Sequence, residues 1–173
     1  MFNIITVTIK FDPLEDRIIM DCYDPIKKTQ RLWLTKRLLD KLIPKISNQL
    51  KINSVNNISE ELEQSFEQEK AELNQKETDP VELKEDFPSL LVTSVQVNKN
   101  KSNFQIIFHD ERKLSNLKNN FINKAQFILS IANLRLWLKA LLRIYVKADW
   151  DTKNFPSWLN KDFKEEEKKL FIN

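Results

Sequence analysis

Residues 3–11 read N-I-I-T-V-T-I-K-F and residues 17–23 read R-I-I-M-D-C-Y. The first alternates and is β-branched, the pattern of a pleated, half-buried strand, and the second reads as another strand. The Asp12-Pro13-Leu14-Glu15-Asp16 segment between them has a proline to preset φ and acidic side chains that can bond local backbone, so it reads as a turn. The two strands are then most simply a hairpin, closed by Asp24-Pro25. Beyond it, Gln30 to Leu34 fits either a short third strand or the start of a helix. Thr35 is placed as an N-cap, and Leu38, Leu39, Leu42, Ile43, Ile46 and Leu50 follow at helical spacing. Pro44 lies inside that run and predicts a kink or a stop near Ile43.

The same plan recurs further along. S-L-L-V-T-S-V-Q-V at 89–97 alternates as a strand, residues 98–103 are turn-like, and Phe104 to Phe108 is a second strand. A long helix is expected from Leu114 to Lys147. Between the two units, residues 57–88 carry eleven acidic groups against three lysines. Leu62, Phe66 and Leu73 within it suit a solvated helix, and Glu77 to Pro88 a linker. The organisation expected is therefore a hairpin-plus-helix unit at 1–56, an acidic helix or linker insert at 57–88, a hairpin-plus-long-helix unit at 89–150, and an aromatic, charged tail at 151–173. The fold class is α+β: two hairpin-plus-helix units, antiparallel strands, and helices packed on one face. Arg-Leu-Trp-Leu occurs at 31–34 and again at 135–138, but at different points of the two units.

Composition narrows the function. In 173 residues there is no glycine, which excludes a Gly-rich phosphate cradle, a dinucleotide fingerprint and a nucleophile elbow, all of which need backbone without a Cβ. One Cys and one His cannot build a structural zinc site or a disulfide framework. No cofactor or metal is expected, and no enzymatic activity. The apolar run from Phe127 to Val146 contains Arg135, Lys139 and Arg143, each of which costs about 2.5–3.5 kcal/mol at the centre of a spanning helix, so a transmembrane segment is not expected. The lone Cys22 and an N-terminus without a basic, cleavable leader point to a cytoplasmic protein.

Charge is segregated along the chain: net +4 over 1–56, −8 over 57–88, +7 over 89–150 and 0 over 151–173. Arg37, Lys41 and Lys45 fall on one face of the first helix, and Arg135, Lys139, Arg143 and Lys147 on one face of the second. Such stripes suit an anionic surface such as nucleic-acid phosphate, and they equally suit a solvated helix face. The acidic insert could cover the stripes in cis or simply be solvated. The tail places Phe155, Trp158, Leu159 and Phe163 close together, either as partner-docking anchors or packed on the body.

Catalytic readings are thin. Asp79, Glu82 and Lys84 have the residue types of a metal-dependent nuclease but lie in the least strand-like segment. His109-Asp110-Glu111 could serve acid–base chemistry or cap a strand end. Cys22, Trp33 and Trp137 read as core. The function expected is a non-enzymatic intracellular interaction protein, an adaptor or assembly subunit that binds a protein partner through helix surfaces and the aromatic tail. The alternative is a nucleic-acid-binding protein that uses the basic helix stripes.

Overall fold

The computed structural model describes residues 1–50, 60–83, 86–112 and 123–159. In chain order the elements are β1 (Phe2–Ile4), β2 (Thr6–Asp12), β3 (Arg17–Tyr23), β4 (Thr29–Thr35), α1 (Lys36–Gln49), α2 (Glu60–Leu73), β5 (Ser89–Leu91), β6 (Ser94–Lys99), β7 (Asn103–His109), β8 (Lys124–Ser130) and α3 (Ile131–Lys147). The class is α+β. One sheet has the order β1-β8-β7-β6, the other β2-β3-β4-β5.

Both of the long strands expected at 3–11 and 89–97 are broken where the chain leaves one sheet for the other. Ile4 pairs with Phe127 in the first sheet, whereas the Ile5 N–H already donates to the Tyr23 carbonyl of the second at 2.9 Å. In the other half Val92 N–H donates to Trp33 O at 3.0 Å, and the very next amide, Thr93, donates to His109 O at 2.8 Å in the opposite sheet. Each half thereby lends a strand to the other's sheet. The pairings β1–β8 and β4–β5 that result are parallel, an addition to the antiparallel hairpins expected. Residues 29–35 resolve as strand β4, paired along its length with β3.

Residues 124–130 are a strand rather than the first turns of the long helix. Ala125, Phe127 and Leu129 point inward with a period of two while Lys124 and Ile128 face out, and both neighbours of β8 supply ladder partners. The helix begins only at Ile131, with Ser130 Oγ accepting the Asn133 N–H at 3.2 Å. The part of the expected helix at 114–122 lies outside the described residues. In α1 the Thr35 side chain caps as expected, accepting from Leu38 N–H at 3.3 Å. The helix then runs through Pro44 to Gln49, because Leu39, Leu42, Ile43 and Ile46 on either side of the proline are all buried. Their burial, about 1.5–3 kcal/mol each, outweighs the roughly 3 kcal/mol of an interior proline.

The inner faces of both sheets and the apolar faces of α1 and α3 form a single core, which includes Ile18, Met20, Leu32, Leu34, Phe104, Phe108, Leu138 and Leu142, all fully buried. α1 touches β4 and β6, and α3 touches β2, β7 and β8, so each helix spans both sheets. α2 packs against α3. Without glycine, the left-handed backbone positions among the described residues fall to Asp16, Lys27 and Asp149. The repeated Arg-Leu-Trp-Leu is strand in β4 and helix in α3, so the two copies occupy unrelated environments.

Candidate interaction surface

Of the seven basic residues singled out by spacing, two are not at the surface. Arg135 is 2% exposed and Lys139 6%, because α2 lies across this part of α3. Arg135 donates through Nη1 to the Gln64 carbonyl at 3.2 Å and through Nη2 to the Gln64 side-chain oxygen, and its guanidinium lies 4.9 Å from the Trp158 ring centre. Burial pulls the Arg135 pKa below its ordinary value, and the charge of Glu67 works in the opposite direction. Lys139 is ion-paired with Glu72, whose other oxygen accepts from Gln68 Nε2 at 2.7 Å. Gln64 Nε2 donates to the Leu50 carbonyl at 2.8 Å and so ties α2 to the end of α1 as well. The acidic insert thus covers the N-terminal half of the α3 stripe and leaves the α1 stripe open.

The other five cations, Arg37, Lys41, Lys45, Arg143 and Lys147, are exposed. None of them makes an ion pair among the described residues. The anionic-surface set is therefore divided: three residues on α1, two near the C-terminus of α3, and two withdrawn under α2.

The aromatic tail is also reassigned. Phe155, Trp158 and Leu159 are buried in the core and cannot serve as a free docking motif in this fold. Phe155 meets Tyr145 edge to face at 5.0 Å, and Trp158 stacks under Arg135. Large rings so close to an apolar body gain more by covering it than by waiting for a partner. Phe163 lies outside the described residues.

What faces outward is α2 itself, with its polarity inverted. The residues it buries are Gln64, Gln68 and Ala71, while Leu62, Phe66 (65% exposed) and Leu73 (81% exposed) point to solvent. At about 100° per residue, positions 62, 66, 69 and 73 lie on one stripe, directly opposite 64, 68 and 71. Glu69 sits in that apolar stripe, Lys70 and Glu63 lie on its flank, and Glu67, turned further toward α3, pairs with Lys70 at 3.9 Å. The spacing of Leu62, Phe66 and Leu73 was visible in the sequence. That the intervening glutamines face the protein was not, because Arg135 and Lys139, the groups that hold them there, are some seventy residues away.

A second feature adjoins the end of α2. An open groove of about 690 Å³ runs where β2, β8 and α3 meet, with Ile5, Val7, Leu136 and Ile144 among its lining and Lys76 and Arg143 at its margin. Trp137 also lines it, and its buried indole N–H has no acceptor. Three separate elements build this groove, so no local pattern announces it.

The catalytic candidates are engaged otherwise. Asp110 is buried and accepts both Nε (2.8 Å) and Nη2 (2.5 Å) of Arg112, which holds its carboxyl below the usual range; Glu111 accepts from Ser94 Oγ at 2.6 Å. Neither carboxylate is directed at His109. Asp79 and Glu82 lie in a segment without strand structure, where Glu82 bonds through its backbone to the Tyr23 hydroxyl; Lys84 is outside the described residues. Among the described residues no cluster of three potential metal ligands occurs, and no helix is long and apolar enough to cross a membrane. Burial raises the Cys22 thiol well above its ordinary pKa, with Asp21 acting in the same direction. Compared with protein-family models, with curated proteins and with solved structures, the chain matches none.

Proposed function

We propose that this chain is a non-enzymatic interaction protein, an adaptor or assembly subunit, whose docking element is the outward face of α2. The single observation that carries this reading is the inverted polarity of that helix. A solvated helix normally turns its apolar residues to the body and its glutamines to water. Here Phe66 and Leu73 are exposed while Gln64 and Gln68 are buried. The large anchors on a helix face that α3 already orients are of the kind that carry binding energy when they enter a partner's groove. The Glu69 carboxylate between them favours a partner surface that is apolar with a cation in reach. The setting we propose is the cytoplasm, where a single unpaired thiol such as Cys22 stays reduced.

The test is to replace Phe66 by a photo-crosslinking phenylalanine in the host cell. The expected result is a crosslink to a protein, lost when Leu73→Glu is added. Absence of any protein crosslink from position 66 would remove the proposal.

A second reading, nucleic-acid binding, is favoured by one observation: Arg37, Lys41 and Lys45 are exposed on α1 and free of ion pairs among the described residues. Phosphate contacts by these residues would weaken steeply with salt. Lys41→Glu with Lys45→Glu should abolish binding to DNA or RNA measured at about 50 mM salt.

A further inference from the structure

The partner that fits the α2 face can be sought on the chain itself, since an apolar ridge with the Glu69 carboxylate in it needs an apolar groove with a cation in reach. The groove between β2, β8 and α3 offers both, interspersed with uncharged polar residues such as Thr6, Asn74 and Asn133. Ile5, Val7, Leu136 and Ile144 give it an apolar lining, and Ile5 is more than half exposed. The charged residues that line it, Lys76 and Arg143, are both cations, and neither has an ion-pair partner among the described residues. The Trp137 indole adds a buried donor without an acceptor. On the ridge, Phe66 and Leu73 supply the apolar anchors, with the Glu69 carboxylate between them and the Glu67–Lys70 pair and Glu63 further round the helix.

We infer that the occupant of the α2 face is a second copy of this chain, with the Phe66–Leu73 ridge of each copy seated in the β2–β8–α3 groove of the other. This rests on the reading of α2 as the docking element and names its partner. Ridge and groove are continuous, because Asn74, Gln75 and Lys76, the residues that follow α2, line the groove. A self-complementary patch of this kind is what a twofold, isologous interface requires. One helix face is small against the roughly 1,200–2,000 Å² that a stable interface buries. Two ridge-to-groove contacts made at once by symmetry double it, whereas a head-to-tail contact would use one and leave the chain to polymerise.

The experiment is sedimentation of the purified full chain over a range of concentrations. The expected result is a monomer–dimer equilibrium. The ridge variant Phe66→Glu, Leu73→Glu is expected to be monomeric. The groove variant Arg143→Glu is expected to associate about tenfold more weakly or worse. All three side chains are exposed, so far-ultraviolet circular dichroism should be unchanged. The decisive arm mixes the two variants. A ridge variant keeps its groove and a groove variant keeps its ridge, so together they should form a heterodimer through one intact contact, to a greater extent than either variant self-associates. A chain that stays monomeric up to about 1 mM overturns the inference, as does a dimer indifferent to both sets of substitutions. If the chain is monomeric while position 66 still crosslinks to a different protein, the self-association fails and the docking role of α2 stands.

Discussion

At the level of single residues, the C-terminus of α3 shows how a chain without glycine ends a helix. The Trp150 N–H donates to the Tyr145 carbonyl at 2.9 Å and the Asp149 N–H to the Val146 carbonyl at 3.1 Å, the paired bonds of a Schellman motif, with Trp150 packed edge-on against Tyr145. The position that glycine usually takes in that motif is held by Asp149 at φ 56°, where a Cβ is unfavourable. Asp149→Gly should therefore raise stability by about 1 kcal/mol in denaturant titrations; a neutral or destabilising effect would contradict the assignment of strain. Tyr145 offers a second check. Burial pushes its phenol well above the ordinary value, and the charge of Asp40 and its hydrogen bond from the hydroxyl at 3.1 Å push the same way. A group whose folded pKa is raised contributes stability in full below its unfolded pKa of about 10 and loses it as pH rises. Phenolate absorbance of a Tyr23→Phe variant should consequently appear only together with unfolding, and appearance before loss of structure would refute the buried Tyr145–Asp40 contact. The helix caps at Thr35 and Ser130 have local signatures, but that of Ser130 is masked by the apolar run on both sides of it. The left-handed Asp149 has none, because one dihedral leaves no periodic trace.

At the level of elements, α1 carries a removable defect. Pro44 deprives the helix of one amide donor in the middle of an otherwise well-packed run. Pro44→Ala should stabilise the protein by about 1–3 kcal/mol, less than the full interior penalty because the unfolded chain also gains freedom. Chemical denaturation measures this, and a loss of stability would mean that the proline ring itself fills space that alanine leaves empty. The elements differ in how far they could be read. The bounds of β3 are legible in the sequence because turn residues close it on both sides, although its burial runs unbroken from Ile18 to Cys22. The alternation of β8 runs straight into the apolar residues of α3, so that one continuous run conceals a strand, a cap and a helix. α2 was expected as a helix on propensity alone. Its orientation depends on Arg135 and Lys139, which bind its polar face and leave Phe66 and Leu73 outside.

For the molecule as a whole, the two halves are related more closely than hairpin-plus-helix suggests. Each consists of a strand that switches sheets, two further antiparallel strands, and a capped helix, and each gives its first short strand to the other half in a parallel pairing. Counted from the caps Thr35 and Ser130, the exposed Arg37, Lys41 and Lys45 of α1 correspond to Ala132, Leu136 and Ala140 of α3. One half thus presents a cationic helix face where the other presents part of the apolar groove, which is how a repeated scaffold acquires two different surfaces. The candidate site divides along the same line. That seven cations lie on two helix stripes follows from sequence spacing, but which of them remain free does not. The sequence by itself determined the α+β class, the first hairpin, the cap of α1, the helical acidic insert and the exclusion of glycine-dependent ligand cradles, because each follows from short-range periodicity, capping chemistry or composition. Only the tertiary structure decided the strand exchange between sheets, the withdrawal of Arg135 and Lys139, the burial of Phe155, Trp158 and Leu159, and the outward turn of Phe66 and Leu73. Those outcomes depend on contacts between segments tens of residues apart, where total burial and charge pairing are optimised together and no local stretch specifies the result.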